Sequence, residues 1–295
     1  MKFLLFILLF FFLVAFAPSV FFFITNIHYF TYYIFKDLYN YFHLKKYNLF
    51  RDNGKIILYS GSGSQVFGSG KTLSMIRDVI NIYRSFDNKV VWDDENKMFT
   101  TQNIHIISNV ELTDVPYIKF NSVNQFVDLE KYNFGSMDVT IFVLDESGAI
   151  FNSREFRDNI SSEFLTRLLQ SRKNKCCMFM TSQRLQFTDK ILRQICSTVV
   201  SCHKTWRVIR NYDYSPLDLE YAVNPELVRP RSKKYWFATD NVFKQYNTYQ
   251  LVEKLNKEYT ALKTEEILAT YGDTSNTSAE TSTHLKRKYK RHREQ

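Results

Sequence analysis

Apolar positions along the chain predict buried strands separated by amphipathic helices. A short apolar run at residues 55–59 leads into a Gly/Ser-rich loop, and apolar residues then recur at helical spacing from Leu73 to Tyr83. Further strands are predicted at residues 104–110 and 139–144, the second being rich in β-branched and aromatic residues. Such runs are typical of parallel strands buried on both faces. The pattern therefore indicates an α/β fold with a mostly parallel central sheet flanked by helices.

The second half of the chain continues this alternation and then becomes polar. Apolar residues predict a helix around 160–169, a strand at 176–181, a helix at 188–195, two strands at 198–203 and 206–210, and a strand at 235–240. A charged helix is predicted to follow and to end at residue 271. Residues 272–283 are rich in Ser, Thr and Asn, and we expect them to be disordered because they cannot bury a core.

The N-terminal residues are almost uniformly apolar. Residues 3–23 carry no charge, and about 20 apolar residues are enough to span a bilayer as a helix. We expect a retained, single-pass transmembrane helix within residues 1–35, followed by a connector at 36–54. A cleaved signal peptide and a two-pass hairpin remain open, although Pro18 argues against cleavage after the preceding residue. Basic residues after the segment place its C-terminal side in the cytoplasm, by the positive-inside rule.

The loop at residues 60–72 has the residue types of a phosphate-binding loop, or P-loop. It ends in Gly68, Ser69, Gly70, Lys71 and Thr72. Glycines let backbone N–H groups face phosphate oxygens, the lysine reaches the β- and γ-phosphates, and the threonine hydroxyl binds Mg²⁺. We therefore expect ATP and Mg²⁺ as cofactors. Gln65 stands where the pattern requires its first glycine, and a flexible Gly/Ser turn before a helix is the alternative.

Polar residues follow two of the predicted strands. Asp145 and Glu146 come directly after residues 139–144, and in a nucleotide hydrolase the first acid completes the Mg²⁺ shell while the second polarises the attacking water. The alternative is that both acids only cap the following turn. Gln183 follows the strand at 176–181, and ligands bind at the carboxyl ends of parallel strands. We therefore predict that Gln183 orients the water or senses the γ-phosphate.

Arg172 is the remaining candidate catalytic residue. It follows the predicted helix around residues 160–169, where most arginines are solvated or interact with the helix C-terminus. We predict that Arg172 reaches the γ-phosphate bound by a neighbouring subunit.

Composition adds a basic tail and argues against zinc. The formal charge is +9, and the last ten residues hold six basic residues and one acidic residue, so they carry +5 of it. Nucleic acid, an anionic lipid surface and no partner at all remain open for this tail. The four cysteines lack paired Cys-x-x-Cys spacing and no histidine completes a zinc pattern, which favours a reducing compartment. Cys176 and Cys177 lie in an apolar run, where we expect buried thiols.

Taken together, the motifs resemble an additional-strand P-loop ATPase of the FtsK–HerA group. Within it, three stretches are similar to the zonular occludens toxin-like family, which includes the assembly ATPases of filamentous phages: Val-Leu-Asp-Glu-Ser-Gly-Ala-Ile-Phe-Asn-Ser-Arg (143–154), Met-Phe-Met-Thr-Ser-Gln (178–183) and Lys-Ile-Leu-Arg (190–193). The resemblance covers residues 55–203. It implies a five-stranded core in which the Gln183 strand lies between the P-loop strand and the Asp145 strand. It also implies a homo-oligomeric ring and movement of single-stranded DNA.

Two features depart from the family. Gln65 puts the turnover rate in doubt, and the apolar segment precedes the ATPase, whereas proteins of this kind usually carry theirs after it. We expect an anchor (1–35), a connector (36–54), a P-loop ATPase domain (55–245), a C-terminal helix (246–271) and a disordered basic tail (272–295).

The expected function is a membrane-anchored ATPase that drives DNA translocation in viral DNA export, virion assembly or packaging, at the bacterial host inner membrane with its ATPase domain cytoplasmic. Expected partners are DNA, bound by the basic surface and tail, the membrane, further copies of the chain, and other assembly or secretion proteins. A non-enzymatic membrane scaffold with a degenerate P-loop is the alternative. The apolar segment and the basic tail both argue against a small-molecule kinase.

Overall fold

A computed structural model describes residues 2–16, 18–61, 67–132, 134–151, 162–224 and 227–246. Gln65, the predicted C-terminal helix and the basic tail lie outside the described residues. The chain divides into two compact units, one formed by Met1–Leu49 with Val90–Phe99 and the other by Phe50–Lys89 with Thr100–Gln295.

Helices make up most of the first unit: α1 (Lys2–Phe16), α2 (Pro18–Thr25) and α3 (Ile27–His43). The described residues of the apolar segment are helical up to Phe16 and again from Pro18, and residue 17 between them lies outside the described part of the chain. The predicted single-pass transmembrane helix falls within these helices. Among the described helices, none combines the length and the apolar character needed to cross a membrane.

Two elements outside the main sheet go beyond the sequence prediction. α3 continues across the predicted connector boundary at residue 36. Strands β2 (Lys89–Asp93) and β3 (Met98–Gln102) pair as a hairpin that the apolar pattern did not predict. The acidic stretch between them forms the hairpin turn, in which Asp93 Oδ1 accepts the N–H of Glu95 at 2.9 Å.

The second unit is built on a sheet of eight described strands in the order β10-β9-β8-β1-β7-β6-β4-β5. In chain order, these strands are β1 (Ile56–Gly61), β4 (Ile104–Ser108), β5 (Ile118–Lys119), β6 (Val139–Leu144), β7 (Cys176–Ser182), β8 (Thr198–Thr205), β9 (Val208–Tyr214) and β10 (Ser232–Phe237). The six strands β8, β1, β7, β6, β4 and β5 are parallel to one another. β9 runs antiparallel to β8, and β10 runs antiparallel to β9. The predicted mostly parallel α/β fold is confirmed, and β7 lies between β1 and β6 as the resemblance implied.

Helices cover the central strands on both faces. The described helices of this unit are α4 (Lys71–Phe86), α5 (Asn124–Val127), α6 (Ser147–Ile150), α7 (Ser162–Leu169), α8 (Lys190–Ile195), α9 (Pro216–Tyr221) and α10 (Asp240–Phe243). On one face, the α4 side chains Met75 and Val79 join Tyr59 in a buried cluster. On the other face, Phe142 and Phe164 of α7 belong to a second buried cluster, in which both rings contact Phe126. Each such fully buried side chain contributes about 1.5–3 kcal/mol, so both faces of the sheet stabilise the fold.

Burial on two faces explains why β6 and β7 are apolar without alternation. Every residue of both strands is buried, including Cys176 and Cys177. Burial raises the pKa of the Cys176 thiol to about 12. The buried-thiol prediction is therefore confirmed for this pair. The parallel arrangement also brings the carboxyl ends of β1, β6 and β7 to one edge of the sheet, and the residues that follow them meet there.

Candidate active site

The predicted phosphate loop lies between β1 and α4. Gly68 and Gly70 both adopt left-handed backbone conformations, with φ of 68° and 83°. A side chain at Gly70 would place its Cβ 3.0 Å from Cδ1 of Ile209, which lies on β9. Glycine therefore fits this position for two reasons, the positive φ and the close approach of β9. Residues 62–66, with Gln65 among them, lie outside the described part of the chain.

Two side chains at the start of α4 suit a phosphate group. The Ser69 side chain is buried, and its Oγ has no hydrogen-bond partner among the described residues. Lys71 is half-buried, and this burial lowers the pKa of its ammonium group, while Asp145 acts in the opposite direction. The first-turn N–H groups of a helix lack intrahelical acceptors and favour anions. The loop and the first turn of α4 thus fit the phosphates of a nucleotide.

Asp145 brings the predicted metal ligands together. Its Oδ1 accepts hydrogen bonds from Thr72 Oγ1 at 2.8 Å and from Thr181 Oγ1 at 2.5 Å. A hydroxyl beside a carboxylate suits Mg²⁺, which proteins usually bind through one or two carboxylates together with substrate phosphates and water. Within the described ranges, no group of three or more His, Cys, Asp or Glu side chains is arranged to hold a metal ion. Thr72 and Asp145 would hold the ion here.

Asn109 is a site residue that the sequence reasoning missed. It directly follows β4, which pairs with β6. Its side chain forms hydrogen bonds with both the N–H and the carbonyl of Asp145. Its Nδ2 donates to the Asp145 carbonyl at 2.9 Å, and its Oδ1 accepts the Asp145 N–H at 2.8 Å. The only signal in the sequence is a polar residue after an apolar strand. That signal identifies Asn109 only when β4 is known to lie beside β6.

Glu146 stands next to this cluster in an unusual backbone conformation. Its φ and ψ are 53° and 41°, in the left-handed region that non-glycine residues seldom occupy. The Glu146 N–H donates to Thr181 Oγ1 at 2.9 Å, and Ser147 Oγ donates to the Thr181 carbonyl at 2.7 Å. These bonds hold the turn after β6 against the end of β7. The Glu146 side chain is exposed, so a water molecule can reach its carboxylate.

Gln183 and Arg172 occupy opposite ends of β7. Gln183 directly follows β7 and lies, half-buried, at the same edge of the sheet as Asp145. Arg172 precedes β7 and is exposed, and its backbone lies against Gly54, which precedes β1. Arg172 is therefore away from the carboxyl-end cluster of its own chain. Its role towards a neighbouring subunit stays a prediction, as does the role of Gln183.

Replacing Thr181 by valine should weaken the site while keeping the shape of the side chain. The buried Thr181 hydroxyl joins the Asp145 carboxylate to the Glu146 N–H. Leaving a buried donor unpaired costs about 1–3 kcal/mol. We expect a lower melting temperature and slower ATP hydrolysis, measured by thermal unfolding and by phosphate release. Thr181→Ser keeps the hydroxyl and should behave like the unmodified protein. Equal stability and activity in Thr181→Val would contradict this role.

Solved structures similar to this chain include two viral or bacterial proteins. One is the N-terminal domain of zonular occludens toxin from Neisseria meningitidis, at 17% identity and a TM-score of 0.42, covering 66% of this chain and 100% of that one. Another is the genome packaging NTPase B204 from Sulfolobus turreted icosahedral virus 2 in complex with AMPPCP, at 11% identity and a TM-score of 0.39, covering 63% and 99%.

The first of these structures belongs to the family that the sequence motifs resemble. No protein-family model matches the sequence, and no curated protein does. Identities this low concern the fold alone. The roles assigned to residues therefore come from the contacts of this chain itself.

Proposed function

We propose that the protein is a P-loop ATPase that moves DNA, most simply for the assembly or packaging of a virus. One observation carries the ATPase part: Thr72 of the phosphate loop donates to Asp145 at 2.8 Å, with Glu146 next in the chain. A phosphate loop, a metal-binding acid and a second carboxylate are the parts that hydrolysis of a nucleoside triphosphate needs. Here they meet at one edge of a parallel sheet.

Each residue has a distinct task in this proposal. The loop backbone and Lys71 bind the phosphates, and Thr72 with Asp145 holds the metal. Bound Mg²⁺ supplies charge neutralisation at the phosphate oxygens. Glu146 accepts a proton from the attacking water, and Gln183 positions that water at the end of β7. Asn109 and Thr181 keep Asp145 and Glu146 in place through the hydrogen bonds described above.

The DNA part is supported by the motif resemblance and by the charge of the chain. A formal charge of +9, more than half of it in the last ten residues, favours a polyanionic partner. The resemblance implies single-stranded DNA and a ring of subunits. A ring is also the arrangement in which Arg172 has a task, because its predicted target is the nucleotide of a neighbouring subunit.

The proposal is tested by Mg²⁺-dependent ATP hydrolysis with and without DNA. We expect activity in the purified full-length protein, and stimulation by a single-stranded oligonucleotide that exceeds stimulation by a duplex of the same length. A Lys71→Ala variant purified in the same way controls for contaminating activity. Hydrolysis that neither DNA form changes would refute the DNA part and leave the ATPase. Absence of hydrolysis under all conditions would refute both.

A further inference from the structure

The strands β8, β9 and β10 carry an unusual set of side chains on one face. Residues that pair directly in an antiparallel ladder lie on the same face. Arg210 of β9 pairs with His203 on one side and with Tyr235 on the other. In the next rows Tyr212 pairs with Lys233, and Val208 pairs with Phe237. We call His203, Arg210, Tyr212, Lys233, Tyr235 and Phe237 the basic-aromatic face.

Two rings of the basic-aromatic face, those of Tyr235 and Phe237, are exposed, and the rings of Tyr212 and His203 are half-buried. Tyr235 is 61% exposed and Phe237 is 50% exposed. The rings of Tyr212 and Tyr235 meet edge to face with centroids 6.3 Å apart, and Lys233 Nζ lies 5.8 Å from the Tyr212 centroid. Contiguous exposed aromatic rings on a protein surface usually mark an interaction site. The rings here are interleaved with cations, so the site suits a ligand that offers both flat rings and negative charge.

The charge of this face has one sign. None of its six residues is acidic, and the acid nearest in sequence, Asp213, lies on the opposite face of β9, where Lys234 Nζ contacts it at 2.9 Å. Burial lowers the pKa of His203, and the Arg210 guanidinium lowers it further, so the imidazole favours its neutral form. Arg210 and Lys233 therefore supply the positive charge, while His203 adds a third ring beside Tyr212, with centroids 5.2 Å apart.

The opposite face of the same strands contacts the phosphate loop and the start of α4. Ile209 lies under Gly70, and Ser74 Oγ of α4 donates to Asn211 Oδ1 at 3.2 Å. The Arg77 guanidinium of α4 lies over the Trp236 ring at 4.4 Å. One face of β9 and β10 thus contacts the start of α4, while the other carries the exposed rings of Tyr235 and Phe237. A ligand on the open face would be separated from the phosphate loop by the thickness of one sheet.

We infer that the basic-aromatic face binds single-stranded nucleic acid, with bases stacked on Tyr235, Tyr212 and Phe237 and phosphates paired with Lys233 and Arg210. This inference rests on the proposed function and assigns its DNA partner to a surface. Proteins that bind single strands combine such aromatic platforms with a positively charged track. The bases of a single strand have free faces for these rings, whereas a duplex stacks its bases on each other. The face therefore discriminates in favour of the single strand.

The test compares neighbouring residues that point to opposite faces of β10. Binding of a fluorescein-labelled 30-nucleotide oligothymidine to full-length protein is followed by fluorescence anisotropy at several salt concentrations. Tyr235→Ala should weaken binding about tenfold, since stacking contributes on that scale, and Tyr235→Phe should restore it. Lys233→Ala should reduce the slope of log affinity against log salt concentration by about one, which corresponds to one lost phosphate contact. Lys234→Ala removes the same charge from the other face and should leave affinity within about twofold of the unmodified protein.

Three outcomes would overturn the inference. Equal losses of affinity in Lys233→Ala and Lys234→Ala would show that binding depends only on the overall charge of the protein. Unchanged binding in Tyr235→Ala, combined with complete loss when Lys286, Lys288 and Lys290 are replaced by alanine, would assign binding to the tail. Equal competition by an unlabelled duplex would exclude stacking on free bases. The proposed function fails separately, because the unmodified protein would then show neither binding nor DNA-stimulated hydrolysis.

Variant folding is checked by thermal unfolding. Lys233 is an exposed side chain on the edge strand, so Lys233→Ala decides the question even if Tyr235→Ala is unstable. Stimulation of ATP hydrolysis by the oligonucleotide should decrease in the same variants that lose binding. Basal hydrolysis should not change, because the face lies on the side of the sheet away from α4.

Discussion

Replacing Lys71 by alanine is expected to abolish Mg²⁺-dependent ATP hydrolysis, with a loss of about 10²- to 10³-fold. Lys71 is the half-buried first residue of α4, and it follows Ser69, whose buried hydroxyl has no hydrogen-bond partner among the described residues. Asp145 is close enough to raise the pKa of the Lys71 ammonium group. Charge that develops on the phosphate oxygens during hydrolysis would lose its nearest fixed cation. Phosphate release and binding of a fluorescent ATP analogue measure the two consequences, and both should decrease.

The matched control for Lys71→Ala is Lys55→Ala. Lys55 precedes β1, is about half exposed with 47% of its side chain accessible, and pairs with Asp52 at 2.7 Å. The two variants lose the same charge and the same side chain, but only one loses it at the phosphate loop. Lys55→Ala should retain activity. If Lys71→Ala hydrolyses ATP as fast as Lys55→Ala, the nucleotide does not bind at this loop.

Replacing Glu146 by glutamine is expected to stop turnover and leave ATP binding intact. Glutamine has nearly the same size but cannot accept the proton of the attacking water, and loss of a general base typically costs about 10²- to 10⁴-fold. The left-handed conformation of Glu146 and its N–H bond to Thr181 belong to the backbone, so the substitution leaves them unchanged. Single-turnover hydrolysis and equilibrium binding of ATP, each with Mg²⁺, separate the two effects.

Two further variants define what the Glu146 result means. Glu163→Gln makes the same chemical change at an exposed residue in the first turn of α7 and should have no effect. Asp145→Asn should weaken binding of ATP with Mg²⁺, because it alters a metal ligand instead of the base. If the unmodified protein binds ATP without turnover and Glu146→Gln changes nothing, the chain is a scaffold that uses the fold without its chemistry.

Patterns confined to short stretches of sequence were sufficient to predict the central strands β6 and β7 and the helix α4. The apolar run of β6 followed by Asp145 and Glu146, and the run of β7 followed by Gln183, placed these residues at strand ends that the structure confirms. The Gly-Ser-Gly-Lys-Thr stretch and the helical spacing from Leu73 to Tyr83 predicted the helix that the structure shows as α4. Such features are readable because an apolar run and a glycine act on the backbone within a few residues of themselves.

Contacts between residues far apart in the sequence determine the parts of the site that local sequence patterns did not predict. Asn109 and Thr181 each reach Asp145 across 36 residues of sequence, and Asn211 reaches Ser74 across 137. These hydrogen bonds depend on which strands are neighbours. Strand order is set by the packing of whole faces against helices, so it leaves no signature at any single position. The same order places β9 beside the phosphate loop, so that Ile209 lies against Gly70 while Arg210 and Tyr212 face the other side of the sheet.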